Sequence, residues 1–209
     1  MIKDQNKGNL LFPDCQMIKR VSPSQREFEE YFSSELSVFD EILTKSFLML
    51  KQEEEKRPPH YRNRNWHPNT MNSNVQGLLI DHFGGHVKLI NGRYFLSLYG
   101  KLLSFKKLDS CTLKPTHNET SFSSRLVNQF ALPMEEPNPI IWVGYCVDNP
   151  WNNLMGTYAL SMDGNELNWV VNLSNEESTT EYFLSSDKLK EENQDTPLVS
   201  IKSEIKKAL

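Results

Sequence analysis

One short stretch, residues 86–108, HVKLINGRYFLSLYGKLLSFKKL, is rich in cations and aromatic rings, among them Lys88, Arg93, Lys106, His86, Phe95 and Tyr99. Lysine and arginine neutralise phosphates, and aromatic rings stack on bases, so a single face carrying all of them would bind nucleic acid. A second basic and aromatic group, Arg57, Arg62, Arg64 and Trp66, falls in or beside a loop at residues 58–70 that could border that face. His67 follows directly. An imidazole near an arginine suits cleavage of a phosphodiester without a metal, the ring moving a proton while the guanidinium holds the phosphate. His86 and His67 are therefore the candidate proton-transfer groups.

Two turns must position the first group. Asn91-Gly92 predicts a two-residue type I′ hairpin, because both central residues need positive φ. That pairs Ile90 with Arg93, Leu89 with Tyr94, Lys88 with Phe95, Val87 with Leu96 and His86 with Ser97. Gly100-Lys101 suits a II′ turn with glycine first. It pairs Tyr99 with Leu102, Leu98 with Leu103, Ser97 with Ser104, Leu96 with Phe105 and Phe95 with Lys106. Side chains alternate between faces. One face then holds Val87, Leu89, Tyr94, Leu96, Leu98, Leu103 and Phe105, which is core material. The other holds His86, Lys88, Arg93, Phe95, Ser97, Tyr99, Ser104 and Lys106. That second face is either the binding surface or a solvated or helix-covered face. A slip of one residue would exchange the two sets.

The flanking chain supplies the scaffold. Ser22-Pro23-Ser24-Gln25 starts a helix, and Phe28, Phe32, Leu36, Phe39, Phe47 and Leu50 follow at helical spacing, so a long helix is expected over about 23–56. A shorter helix is expected over 72–83 and another over 119–132. Residues 140–147, IIWVGYCV, read as a central strand. Residues 157–162 and 166–173 form a hairpin about Asp163-Gly164. Asp148, with Asn149-Pro150, reads as a turn residue. The expected fold is α+β: a mainly antiparallel sheet of five to seven strands with the long N-terminal helix and two shorter helices packed on one side. Residues 1–22 read as a leader and 23–184 as one domain. Residues 185–209 read as a charged tail with a short amphipathic helix carrying Leu198, Ile201 and Ile205.

The 209 residues carry a formal net charge of -4, so the whole chain is not a generic polyanion binder, and any nucleic-acid site must be a local patch. Three cysteines, Cys15, Cys111 and Cys146, are widely spaced with no CxxC, which fits a reducing cytoplasm rather than a disulfide framework. Neither a signal-peptide core nor a membrane-spanning apolar run is found, and no membrane partner is expected. No cofactor motif and no metal site is expected. His82 and His86, beside Asp81, have helical metal-ligand spacing, but Gly84-Gly85 breaks the helix between them. Neither a phosphate-binding glycine loop nor an acidic strand pair of the restriction-nuclease kind occurs.

Two likenesses add to this. Residues 62–67, RNRNWH, match the R-x4-H pattern of HEPN-type ribonucleases, whose pair lies on a helix; here Pro58, Pro59 and Pro68 bracket it. More broadly, Arg93, Phe105-Lys106-Lys107-Leu108, a helix containing Gln129, Gly144-Tyr145 with Asp148, and a closing hairpin ending in Trp169-Val170-Val171 resemble a family of uncharacterised bacterial and prophage proteins. The resemblance covers roughly residues 65–173. Members are encoded beside Xre-type or zinc-peptidase-like regulators. That layout implies the toxin-like component of a toxin–antitoxin or phage-defence module, with a cognate regulator or antitoxin as protein partner and a homodimer as one arrangement. If enzymatic, it would be a metal-independent nuclease. The alternatives are a non-enzymatic interaction module, inhibitor or antitoxin-like, and a phage nucleotide-binding protein.

Overall fold

Residues 140–147 divide by parity between two cores. Ile141, Val143, Tyr145 and Val147 join one, while Ile140, Trp142 and Cys146 join the other. A strand covered on both faces reads as a continuous apolar run rather than an alternating one, which explains IIWVGYCV. The computed structural model describes residues 18–116, 120–131 and 137–174. All belong to the first of two units, Met1–Asn175 and Glu176–Leu209. The expected amphipathic helix of the tail lies outside the described residues.

In chain order the elements are β1 (Ile18–Lys19), α1 (Gln25–Tyr31), α2 (Leu36–Lys56), α3 (Trp66–Phe83), β2 (Val87–Ile90), β3 (Arg93–Leu98), β4 (Lys101–Lys107), α4 (Ser121–Val127), β5 (Phe130–Ala131), β6 (Ile140–Val147), β7 (Leu154–Asp163) and β8 (Glu166–Asn172). The fold is α+β, as expected. A six-stranded sheet runs β2-β3-β4-β6-β7-β8, and β1 pairs with β5 in a two-stranded one. Neighbours in the six-stranded sheet are antiparallel except β4 and β6, which run parallel from Leu102 opposite Ile140 to Lys107 opposite Tyr145.

Helices α1, α2 and α3 cover one face with Phe28, Phe32, Phe39, Leu43, Phe47, Leu50, Met71, Val75 and Leu79. The crossover from β4 to β6 covers the other with Leu108, Leu113, Leu126 and Val127. So α4 packs opposite the N-terminal helices rather than beside them.

The single helix expected over 23–56 is two. The N-cap Ser24 accepts from Glu27 N while Glu27 closes the capping box, but α1 ends at Tyr31 and α2 begins at Leu36. Ser33-Ser34 sits in the break, and serine competes with helical backbone bonds. The break lets α1 swing onto β8, where Phe28 stacks on Trp169 at 4.9 Å and Trp169 Nε1 donates to Pro23 O at 2.8 Å. Helix α3 starts at Trp66, earlier than the expected 72, with Pro68 in its first turn, where no helical N–H bond is lost. Helix α4 stops at Val127, earlier than expected, because residues 130–131 pair with β1.

Three residues of the family-like motifs are structural here. Gln129, fully buried at φ 55°, donates from Nε2 to Ile140 O (2.8 Å) and Met162 O (3.0 Å), and its Oε1 accepts from Ile140 N (2.9 Å). It closes the start of β6 as a strand would. A Cβ on Gly144 would lie 2.5 Å from Leu108 Cγ and 2.5 Å from Lys106 O, so only glycine lets Leu108 fold back over β6. Trp169 anchors α1 as described.

Candidate nucleic-acid interface and acid–base site

The β2–β3 register is the expected one from Val87 opposite Leu96 to Ile90 opposite Arg93, with Asn91 and Gly92 both at positive φ. The next turn is not. Tyr99 and Gly100 take φ 49° and 68°, so the turn is Tyr99-Gly100, and Leu98 pairs with Lys101, Ser97 with Leu102 and Leu96 with Leu103. Moving a two-residue turn by one position shifts the partner by two, which preserves the faces. Leu96, Leu103 and Phe105 therefore do face the helical core, with Val87 and Leu98 packed against it. Leu89 does not: it is 61% exposed on the edge strand β2.

The opposite face is not an open surface. Phe95 is 1% exposed and belongs to the second core with Leu102, Leu113 and Leu126. A ring so buried cannot stack on a base. Tyr99 leaves this face altogether, its hydroxyl donating to Glu35 Oε1 at 2.7 Å and its ring packing on Tyr31 and Phe32. That bond is also the main cause raising its phenol above the ordinary value. His86 lies in a 3₁₀ turn, Gly84–His86, unpaired to β3. It is separated from Arg93 by the length of β2, roughly 13 Å at 3.3 Å per residue. Lys88 is exposed on β2. Only Arg93 and Lys106 stay together, half-buried beneath Phe122 of α4. This packing takes Phe95 and Tyr99 out of the expected basic and aromatic face.

The second group is brought together at the end of α2 and the start of α3, on the other face. Glu54 is its centre. Its Oε1 accepts from Arg62 Nη1 (2.7 Å) and meets His67 Nε2 (3.0 Å), while Lys51 Nζ bonds its Oε2. Burial of this carboxyl opposes its charge, but hydrogen bonds from Lys51 and His67 prevail and hold it below the usual carboxylate value. An ionised carboxylate only accepts, so Nε2 of His67 donates to it. Nδ1 has no partner among the described residues.

Arg62 also donates to backbone: Nη2 to Glu54 O at 2.6 Å and Nε to Arg57 O at 2.8 Å. These three bonds tie Arg62 to the C-terminal end of α2. The R-x4-H pair also straddles a helix start: Arg62 is extended and His67 is the second residue of α3.

Trp151 forms the second wall. It sits at φ 60° in the loop after β6, where Asp148 accepts from Asn152 N (2.6 Å), Asn153 N (3.1 Å) and Asn153 Nδ2 (2.8 Å). Asp148 is thus the turn residue the sequence suggests. Trp151 stacks on His67 at 5.5 Å and 19°, its carbonyl accepts from Lys51 Nζ at 3.3 Å, and Lys107 Nζ lies 4.7 Å from its ring. The site therefore abuts the carboxyl ends of the parallel pair β4–β6, where Lys107 and Asp148 emerge.

Around this centre, Arg57, His60, Tyr61 and Arg64 are exposed. Arg57 lies over the buried Trp66 at 5.9 Å, and His60 packs on Tyr61 at 4.3 Å. Trp66, 7% exposed, is core rather than a stacking ring. Sequence reasoning missed Glu54, Lys51, Trp151 and Lys107. Glu54 stands in the acidic run Glu53-Glu54-Glu55, which reads as a solvated helix face, and Trp151 carries no signal beyond its turn. Among the described residues no trio of histidine, cysteine or carboxylate side chains is placed to hold a metal. No helix among them is long and apolar enough to cross a membrane. Comparison with family models, curated proteins and solved structures finds no match to this chain.

Proposed function

We propose that the protein binds single-stranded nucleic acid along the exposed rim of residues 57–67 and cleaves it without a metal, as the toxin-like member of a toxin–antitoxin or phage-defence pair. The observation that carries the reading is His67. Its ring is fixed by an ionised carboxylate on one nitrogen and an indole on one face, and exposed Arg57 and Arg64 both precede it within ten residues. Arginines contact phosphates, exposed Tyr61 and His60 offer rings for bases, and Nδ1 of His67 accepts a proton from the attacking hydroxyl. With a 2′-hydroxyl as nucleophile the proton moves to Nδ1, the new P–O bond closes a cyclic phosphate and the 5′-oxygen leaves with a proton from water.

The test uses the full chain with labelled RNA and DNA oligonucleotides, in EDTA. The reading expects RNA cleavage in the wild type, growth arrest on expression in a bacterial host, and loss of both in His67→Ala with binding retained. Absence of both cleavage and salt-sensitive binding would sink it.

A further inference from the structure

Arg93 and Lys106 form a second cationic centre that the rim does not use. The β3–β4 pairing runs from Leu98 opposite Lys101 to Leu96 opposite Leu103, and the same register carried three residues further would set Arg93 across from Lys106. Like charges directly opposite on one face are unfavourable. Both side chains are half-buried. No salt bridge reaches either one among the described residues. Arg93 Nη1 is buried with no hydrogen-bond partner among the described residues. A buried guanidinium N–H left unpaired is costly, as is a second cation beside it, so the arrangement calls for an anion. Phe122 lies over Arg93, its ring centroid 5.2 Å from the guanidinium carbon, and so walls one side. Burial first and Arg93 second also lower the Lys106 ammonium below its ordinary value, as expected of two cations sharing a partly desolvated space.

We infer that Arg93 and Lys106 bind a phosphate group, free or at the end of a mononucleotide, in a site walled by Phe122 and separate from the His67 rim. Phosphate fits better than a monoanion. Its double charge matches two cations, and the planar guanidinium offers paired donors to two of its oxygens.

The site is tested by thermal unfolding of the full chain in sodium phosphate against sodium chloride of equal ionic strength, followed by titration calorimetry with phosphate, AMP and adenosine. Phosphate should raise the wild-type Tm by at least about 3 °C at concentrations well above Kd. Lys106→Met removes a like-charge contact and keeps the shape, so its basal Tm should equal or exceed the wild type while the phosphate increment disappears. Arg93→Met should lose the same increment. AMP binding at least tenfold tighter than phosphate, with adenosine silent, identifies a nucleotide ligand; equal affinities identify free phosphate. A wild-type increment no larger than that of chloride, or one that survives both variants, overturns the site. So does a fall in basal Tm for Lys106→Met, which would show that its ammonium is already neutralised within the folded chain. None of these readouts depends on His67 or on cleavage.

Discussion

Two groups of cations lie on opposite faces of one sheet, and they are held in different ways. At the rim, Arg62, Lys51 and His67 converge on one carboxylate, Glu54, so the cluster is satisfied from within and holds α2 against α3. Under α4, Arg93 and Lys106 meet with no carboxylate between them among the described residues, and Arg93 Nη1 is left without a partner. The first is a finished structure, with exposed Arg57 and Arg64 close to it in sequence. The second is an unfinished one. A cluster of positive residues in a sequence can be either, and only the position of the nearest carboxylate separates them.

Phe95→Ala should have the largest effect on this comparison. If Phe95 is core, its loss costs about 3–5 kcal/mol in urea unfolding with no selective loss of nucleic-acid affinity. A stable variant with weakened binding would restore the sheet face as a surface. Glu54→Gln should cost about 2 kcal/mol, since Arg62 and Lys51 lose a charged acceptor. The acid limb carries the sign. The folded Glu54 carboxyl lies below its ordinary value of 4.5, so its stabilisation is present above that pH and is lost as pH falls through the folded value. Glu54→Gln should therefore flatten the acid limb of stability, and an unchanged limb would remove Glu54 from the centre of the rim. Gly144→Ala should cost a few kcal/mol by displacing Leu108 from β6, a disturbance centred on the Lys106 side of the sheet. A rim centred on Glu54 should keep its oligonucleotide affinity in this variant.

The smallest effect concerns thiols. Cys146 is buried between the sheet and the second core, and burial pushes its thiol up to about 11, whereas Cys111 is exposed. Titration with a thiol reagent should label Cys111 in minutes and Cys146 only on unfolding. Fast labelling at Cys146 would mean that the crossover covering the Arg93 side opens readily.

Much of the scaffold was legible. The alternation in β2, β3 and β4 separates the two faces, and Asn91-Gly92 sets the first register. The central position of β6 follows from its unbroken apolar run. The second turn was missed because Tyr99 adopts positive φ, which costs a non-glycine residue about 1 kcal/mol or more and is offset here by contacts to Glu35, Tyr31 and Phe32. Those partners are distant in sequence. The same holds for the face under α4. Phe95 among Lys88, Arg93 and Lys106 has the pattern of a binding surface. It becomes core only when Leu113 and Leu126 arrive through the crossover. At the rim, RNRNWH drew notice for Arg62 and His67, but their roles come from Glu54 and Trp151, which no local spacing connects to them. Arg62 is bonded to the end of α2, and His67 is held by Glu54 and Trp151.

The most direct measurement is the salt dependence of binding to a single-stranded oligonucleotide lacking terminal phosphates, by fluorescence anisotropy, for three proteins. Against the wild type, Arg57→Ala with Arg64→Ala should weaken binding uniformly across sequences and reduce the slope of log K against log salt by about 2. Arg93→Met with Lys106→Met should leave affinity and slope unchanged. The reverse pattern, with the slope falling in the second pair and holding in the first, would contradict the assignment of the rim.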